Sequence, residues 1–152
     1  MKTLSIAKYL NENLISFLHV HTREEAIFEL VEALHRNNEL KDKDEFMKAI
    51  LEREKIVSTG IGMGVAIPHA KLTSLHNFFI SIGIQKRQPI EWDSIDNSPV
   101  KLIFMIGGPE HQQKEYLQIL SLITMAIKDE RLRKKLICAE TPQKVLSDLI
   151  CY

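Results

Sequence analysis

The sequence predicts an α/β protein in which a mixed β-sheet is sandwiched between α-helices. Two helical patterns precede a short series of strand-like segments, and three further helical patterns follow it. The 152 residues are about as many as one hydrophobic core organises, and Gly and Pro gather at a few turns without dividing the chain. We therefore expect a single domain spanning residues 1–152.

The first third of the chain predicts a helical turn, a strand and two helices. Apolar residues alternate from Leu14 to Val20, which is typical of a strand. Thr22 and Glu25 have the spacing of a capping box, so a helix is expected from about Arg23 to Asn37. A second helix is expected from about Asp44 to Lys55.

The central segment predicts two strands that are joined by a turn-rich connection. A glycine-punctuated loop (STGIGMG) and a brief apolar run (VAIP) come first, and strand candidates follow at Phe78 to Gln85 and Val100 to Ile106. These two strands should pair as antiparallel neighbours, because a connection of about a dozen residues without a helical pattern rarely makes a parallel crossover.

Three helices are predicted to close the chain after the turn Gly107-Gly108-Pro109. They should span about Gln112 to Lys128, Asp129 to Ala139, and Pro142 to Ile150. Thr141 is the expected N-cap of the last helix, with proline at its first position.

Composition excludes several classes of function. Twenty basic and twenty acidic residues give a net charge of +0, which leaves no surplus to neutralise nucleic-acid phosphates or to dock on an anionic membrane. No apolar stretch reaches the ~20 residues that span a bilayer, and charged residues interrupt the N-terminal segment before a signal peptide could form. Cys138 and Cys151 lack the spacing of a disulfide scaffold, so we expect a cytoplasmic protein.

Most of the six histidines are expected to be structural or solvated. His19 and His21 lie at a strand end, and His35 lies late in a helix. Neither the histidines nor the cysteines have the organised spacing of a zinc site, so no metal is expected.

His69 differs because of the segment that precedes it, STGIGMGVAIPHA (residues 58–70). Glycines allow backbone N–H groups to turn toward an anion, which suits a phosphoryl group that is held without a metal. The alternative is a tight turn before a strand with a partly exposed histidine. The segment lacks the Lys-Ser/Thr of a Walker loop and does not link a strand to a helix, so ATP and NAD binding are not supported.

Arg53-Glu54-Lys55 followed by STGIGMGVAIPHA resembles the signature of the type-2 enzyme IIA domains of the bacterial phosphoenolpyruvate-dependent phosphotransferase system (PTS). This group has fructose, mannitol and nitrogen-regulatory members. The turn from Ile95 to Val100 and the helix containing Leu117 and Leu120 are also similar to the family, so the resemblance covers nearly the whole chain. The chain is most similar to the free-standing nitrogen-regulatory type, which the STGIG sequence favours.

The resemblance implies a phosphotransferase in which His69 accepts a phosphoryl group, at Nε2, from the phosphohistidine of an HPr-type carrier. No cofactor is implied, because a neutral imidazole is itself a competent nucleophile. Arg53 matches the arginine of the family's active site, and its guanidinium suits phosphate oxygens. The alternative for Arg53 is a surface ion pair with Glu52 or Glu54.

The glycine segment is expected to supply the phosphate loop and part of the partner surface. Loop donors are expected at four positions: Thr59, Gly60, Gly62 and Gly64. Ile61 and Met63 are candidates for partner contact, whereas Val65 is expected to pack inward.

Two positions depart from the family pattern. Members commonly have a second active-site histidine directly before the residue that is Leu117 here, and this chain has Tyr116 there. Tyr116 or His111 is therefore expected to donate to the phosphoryl group in its place. Met63 stands where nitrogen-type relatives often carry Asn, which removes an amide that could form a hydrogen bond.

Several functional hypotheses remain open from the sequence. The first, which we favour in its regulatory form, is a phosphocarrier that passes its phosphoryl group to an enzyme IIB or controls a regulatory target. The others are a binding module whose phosphorylation state selects protein partners without onward transfer, a IIA component of a sugar transporter, and a degenerate member that no longer accepts phosphate. The oligomeric state is not predicted.

Overall fold

The computed structural model describes residues 5–152 and has a six-stranded mixed sheet at its centre. The strands are β1 (Ile15–Leu18), β2 (Gly60–Gly62), β3 (Val65–Ala66), β4 (His69–Leu72), β5 (Phe79–Gln85) and β6 (Leu102–Pro109). Their order is β1-β5-β6-β3-β2. β4 also pairs with β6, along the end of β6, whereas β3 pairs with its first residues. β5 and β6 are antiparallel, as predicted, whereas β1 runs parallel to β5, and β3 and β4 run parallel to β6.

Helices cover both faces of this sheet, which confirms the predicted fold class. The helices are α1 (Arg23–Arg36), α2 (Lys43–Ile56), α3 (Gln113–Ile127), α4 (Glu130–Cys138) and α5 (Pro142–Leu149). Each lies within two residues of its predicted bounds. Two short 3-10 turns, Ile6–Tyr9 and Glu12–Leu14, precede β1.

Alternation along β6 divides the core into two layers. Leu102, Phe104 and Ile106 pack with α3, α4 and α5, whereas Ile103 and Met105 pack with α1 and α2. Successive strand residues point to opposite faces of a sheet, so both faces of a central strand must be apolar. The helices are held in place by burial on the two faces.

The predicted turn at Gly107-Gly108-Pro109 is wrong, because these residues continue β6. They pair with β4 and, at Gly107, with β5. A Cβ atom at Gly108 would lie 2.0 Å from Cδ1 of Phe78, and one at Gly107 would lie 2.4 Å from Cζ of Phe79. Glycine at these two positions leaves room for the rings of Phe78 and Phe79 to pack against β6.

The glycine segment is also not the predicted loop. Gly60–Gly62 pairs antiparallel with β3 as a hairpin. His69 opens a strand, β4, that the sequence pattern did not reveal.

In the part of the chain described, no helix combines the length and the apolar character needed to cross a bilayer.

Candidate functional site

A shallow cleft lies between the end of α2, the start of β4 and the first turn of α3. Three residues singled out from the sequence, Arg53, His69 and Tyr116, meet in it although they come from three different elements. The complete lining is Ala49, Glu52, Arg53, Ile56, His69, Ala70, Lys71, Glu110 and Tyr116.

The imidazole of His69 is held in one tautomer by the backbone. His69 opens β4 opposite Ile106, and its Nδ1 atom lies 2.9 Å from the carbonyl oxygen of Ile67. A carbonyl oxygen only accepts hydrogen bonds, so Nδ1 carries the proton and donates it. The lone pair of the neutral ring is therefore on Nε2, which is the nucleophilic nitrogen.

The surroundings of His69 favour its uncharged form. Burial lowers its pKa from the ordinary value of 6.5, the bond to Ile67 opposes that shift, and the positive charges of Arg53 and Lys71 lower the pKa further. Glu54 acts in the opposite sense. The net direction is downward, so the imidazole is neutral near pH 7 and its nitrogen lone pair is available.

Arg53 lies in the last turn of α2 and is half-buried. Its Nη1 atom donates a 2.7 Å hydrogen bond to the carbonyl oxygen of Val57, just beyond the helix end. Within residues 5–152 Arg53 forms no ion pair with Glu52 or Glu54, so the alternative of a surface ion pair is not supported. The single backbone bond leaves the other guanidinium N–H groups for an anion in the cleft.

Tyr116 occupies the first turn of α3, with its ring centroid 5.6 Å from that of His69. Its ring also stacks on Phe78 at 6.4 Å, which fixes the wall of the cleft. Burial raises the pKa of Tyr116 to about 12, against the opposing effect of Arg53. The hydroxyl is therefore protonated at neutral pH and is able to donate a hydrogen bond.

His111 does not join this group. It is exposed and lines a separate depression with Lys8 and the residues that begin α3. Of the two alternatives for the position of the family's second histidine, the structure brings only Tyr116 to His69.

Lys71 lines the cleft, although the sequence pattern did not predict it as a site residue. Residues i and i+2 of a strand point to the same face, so Lys71 and His69 emerge from β4 on one side. The Nζ atom of Lys71 lies 4.5 Å from the centroid of the Tyr116 ring and contacts the side chain of Gln113. The alternation would have identified Lys71 if β4 had been recognised as a strand.

The glycine segment does not form the expected phosphate loop. The N–H groups of Met63 and Gly64 donate to side chains of Asp96 and Ser98, at 3.1 and 3.4 Å. Val65 of β3 pairs with Leu102 of β6, whereas His69 pairs with Ile106. These two positions on β6 are four residues apart, which is a distance of about 13 Å along the strand. The hairpin turn therefore lies at the far end of β6 from His69, and its donors are already used.

Of the three other loop candidates, Gly62 pairs with Val65 in the hairpin, and Thr59 and Gly60 form hydrogen bonds within the protein. The N–H group of Gly60 donates to Oγ of Ser58 at 3.1 Å. Thr59 is buried, and its hydroxyl donates to the carboxylate of Glu54. Neither residue lines the cleft.

The backbone at Met63 gives a reason for the asparagine that the family resemblance leads us to expect at this position. Met63 has φ of +60°, between Gly62 at +98° and Gly64 at +75°. Asn tolerates the left-handed region better than other non-glycine residues. An asparagine there therefore relieves backbone strain in the turn, and this role needs no contact with phosphate.

The predicted partner surface is not beside the cleft either. Ile61 packs against the core, and exposed Met63 lies at the hairpin turn with its Sδ atom 3.6 Å from Nη1 of Arg133. Exposed apolar side chains nearer the cleft are those of Ile56 and Val57 at the end of α2, and of Leu117, which follows Tyr116 on α3.

The other histidines and the cysteines lie outside the cleft. His19, His21, His35 and His76 are exposed, as are Cys138 and Cys151. Over residues 5–152, no group of three or more His, Cys, Asp or Glu side chains is arranged to hold a metal ion.

The chain is similar to known proteins along most of its length. Residues 8–150 match the family described as "Phosphoenolpyruvate-dependent sugar phosphotransferase system, EIIA 2". The chain is 34% identical over 144 residues to the nitrogen regulatory protein of Escherichia coli (strain K12), covering 94% of this chain and 88% of that protein. It is 36% identical over 124 residues to the fructose-specific EIIABC component of Bacillus subtilis (strain 168), covering 82% of this chain and 19% of that protein.

A solved structure extends the likeness to three dimensions. The crystal structure of the nitrogen regulatory protein IIA-Ntr from Neisseria meningitidis superposes with a TM-score of 0.87 at 27% sequence identity. The match covers 95% of this chain and 98% of that chain.

Proposed function

Because this chain belongs to the EIIA 2 family of the phosphoenolpyruvate-dependent sugar phosphotransferase system, we propose that it is a phosphocarrier whose His69 accepts a phosphoryl group at Nε2. The donor is a phosphohistidine protein of the HPr type. The observation that carries this proposal is the Nδ1–Ile67 hydrogen bond, which leaves the Nε2 lone pair of a neutral imidazole in a cleft with two cationic side chains.

The transfer is an in-line displacement at phosphorus. The lone pair on Nε2 of His69 forms the new N–P bond while the donor's N–P bond breaks, and the donor imidazole keeps that electron pair. His69 retains the proton on Nδ1, still bonded to Ile67. The product is a phosphorylated imidazolium, which remains a good leaving group for onward transfer.

Three side chains of the cleft act on the phosphoryl oxygens. Arg53 binds them through the guanidinium N–H groups that Val57 does not use. Lys71 adds a second positive charge beside the Tyr116 ring, and the protonated hydroxyl of Tyr116 donates where relatives have a histidine. Charge that develops on the transferring group is thereby stabilised without a metal.

The exposed apolar side chains around the cleft form the docking face for protein partners. Ile56 lines the cleft and is 76% exposed, and Val57 follows it. Leu117 is 53% exposed and follows the lining residue Tyr116 on α3. Glu52 and Glu110 add negative charge at the rim. An apolar centre with a charged rim is the usual composition of a transient protein interface.

We assign the chain to the regulatory type. The similarity to the nitrogen regulatory protein extends over 94% of this chain, and to the fructose component over 82%. The second candidate is a IIA component of a sugar transporter, which the 36% identity to the fructose component favours. The exposed free cysteines fit a reducing compartment, and we place the reaction in the cytoplasm.

The test of the carrier chemistry is intact-mass analysis after incubation with phosphoenolpyruvate, enzyme I and an HPr-type protein. Wild type should gain one acid-labile phosphoryl group, His69→Ala should gain none, and the exposed-histidine control His76→Ala should behave as wild type. No adduct on wild type, or an adduct that persists in His69→Ala, would contradict the proposal.

Incubation of the phosphorylated protein with acceptor proteins distinguishes a sugar-transporter component from a regulatory protein. A transporter component should lose its phosphoryl group rapidly to an enzyme IIB. A regulatory protein should retain the group in the presence of enzyme IIB, and its affinity for a target protein should change with phosphorylation.

A further inference from the structure

Glu54 is a buried carboxylate beside the cleft for which the phosphoryl transfer described above has no role. It is 7% exposed, and it follows Arg53 in the last turn of α2. Its oxygens accept hydrogen bonds from the Thr59 N–H group at 3.2 Å, the Thr59 hydroxyl and the Trp92 indole N–H at 3.3 Å. Burying a carboxylate is costly unless such donors compensate it, so this degree of organisation needs an explanation.

Residues of other elements also hold Glu54 and its hydrogen-bond donors in place. Nη1 of Arg23, at the start of α1, lies 3.9 Å from Oε2 of Glu54 and supplies a positive charge. The hydroxyl of Ser58 donates to the carbonyl oxygen of Trp92 at 2.6 Å, and the Trp92 side chain is wholly buried. The end of α2, the start of β2 and the segment around Trp92 are thus joined through one carboxylate.

Hydrogen bonds that are linked through the backbone of Thr59 and Ile67 lead from this carboxylate to His69. Thr59 donates to Glu54 through both its N–H and its hydroxyl. The carbonyl oxygen of Thr59 accepts from the N–H of Ile67 at 3.0 Å. The carbonyl oxygen of Ile67 then accepts from Nδ1 of His69 at 2.9 Å. The residue whose carbonyl selects the His69 tautomer is therefore anchored to Thr59, which Glu54 holds.

We propose that Glu54 is a positioning residue for the phosphoryl-transfer reaction: through Thr59 it fixes the Ile67 carbonyl, and thereby keeps the proton of His69 on Nδ1 and the lone pair on Nε2. The inference rests on the function proposed above for His69. Groups that fix the tautomer and orientation of a metal-bound histidine typically change affinity or activity by about 10-fold to 100-fold although they touch no substrate, and we expect Glu54 to act on His69 in the same way.

The test combines a tautomer measurement with a transfer rate. Glu54→Gln keeps the size of the side chain and removes its charge, and Thr59→Val removes the hydroxyl while it keeps the backbone. The control Glu29→Gln removes an exposed carboxylate on α1. For each protein, the imidazole ¹⁵N shifts of His69 report the tautomer, and time-resolved mass analysis reports the rate of phosphorylation by an HPr-type donor.

Glu54→Gln should lower the fraction of the Nδ1–H tautomer and slow phosphorylation by about tenfold, with a smaller effect in the same direction for Thr59→Val. Glu29→Gln should match wild type. Near-ultraviolet circular dichroism checks that each variant is folded, and if Glu54→Gln does not fold, Thr59→Val decides the question. A folded variant with the wild-type tautomer and rate would overturn the inference. If wild type itself is not phosphorylated, the proposed function fails, and the tautomer measurement still tests the role of Glu54.

Discussion

The Nδ1 atom of His69 lies 2.9 Å from the carbonyl oxygen of Ile67, two residues earlier in the chain. This one contact leaves the lone pair of the neutral ring on Nε2, because the carbonyl requires a proton on Nδ1, and Nε2 is the nucleophile in the proposed function. It also joins the strand β4 to the hairpin before it, since the N–H of Ile67 is bonded to Thr59. The fold and the chemistry of the cleft are therefore connected at Ile67.

Protonation of His69 should destabilise the fold. Its pKa is lowered by burial from 6.5, so between 6.5 and the lower folded-state value the unfolded chain binds more protons than the folded chain. Stability should then fall as pH falls through that window. Urea unfolding at a series of pH values should show a smaller loss for His69→Gln than for wild type between about pH 7 and about pH 5.5. Identical losses would contradict the burial of the imidazole.

Replacement of Arg53 should slow transfer more than any other change short of His69 itself. Arg53→Ala should lower the phosphorylation rate by about 10²-fold, because a guanidinium binds phosphoryl oxygens that gain charge in the transition state. Arg53→Lys should recover only part of the rate, since an ammonium lacks the planar fork. Arg36→Ala, at the exposed end of α1, is the matched control. If time-resolved mass analysis gave the wild-type phosphorylation rate for Arg53→Ala, Arg53 would not stabilise the charge of the transferring phosphoryl group.

Lys71→Met should slow transfer by about tenfold, which corresponds to ~1.4 kcal/mol of transition-state stabilisation. Methionine keeps an apolar stem over the Tyr116 ring, so the change isolates the charge that now lies 4.5 Å from the ring centroid. Lys135→Met removes a charge from the exposed face of α4 and should leave the rate unchanged. Equal rates for the two variants would mean that the charge of Lys71 does not act on the phosphoryl group.

Tyr116→Phe should reduce the phosphorylation rate by about threefold to tenfold, which is the value of one neutral hydrogen bond. The ring contacts to His69 and Phe78 are preserved, so the loss reports the hydroxyl alone. Tyr116→His restores the residue type of the relatives and should transfer at least as fast as wild type. Tyr152→Phe removes a hydroxyl bonded to Asp129 and serves as the control. A rate for Tyr116→Phe equal to wild type would show that the tyrosine only forms the wall.

Met63→Asn should stabilise the protein without a change in transfer rate. Met63 has φ of +60°, a conformation that costs a typical L residue about 1–2 kcal/mol and costs Asn less. Thermal unfolding should therefore show a higher midpoint for Met63→Asn by a few degrees, and the phosphorylation assay should show the wild-type rate. A faster transfer rate would instead place residue 63 in contact with the phosphoryl group or its donor.

The helices of this protein could be predicted because their signals are local. Thr22 accepts from the N–H of Glu25, and Thr141 from that of Lys144, which are the caps that their residue types and spacing predict. His69 was singled out by the segment that precedes it, Arg53 was identified through the family resemblance, and both lie in the cleft. Between His111 and Tyr116 the sequence left the choice open, because it did not give the path of the chain before α3.

The errors concern contacts that are distant in sequence. The N–H of Gly64, predicted as a phosphate donor, donates to Ser98, and that of its neighbour Met63 donates to Asp96, which no local pattern reveals. β4 was missed because only four residues form it and its pairing partner is β6, so Lys71 was missed with it. Glu54 looked like a surface acid on a helix, and its burial depends on Trp92, which comes much later in the chain.

The most direct test of the account is the identity of the phosphorylated atom. Uniformly ¹⁵N-labelled protein, phosphorylated by an HPr-type donor, should show a ³¹P–¹⁵N coupling at Nε2 of His69, with the proton retained on Nδ1. Coupling at Nδ1, or at any other histidine, would contradict the central claim that the bond to Ile67 selects the nucleophile.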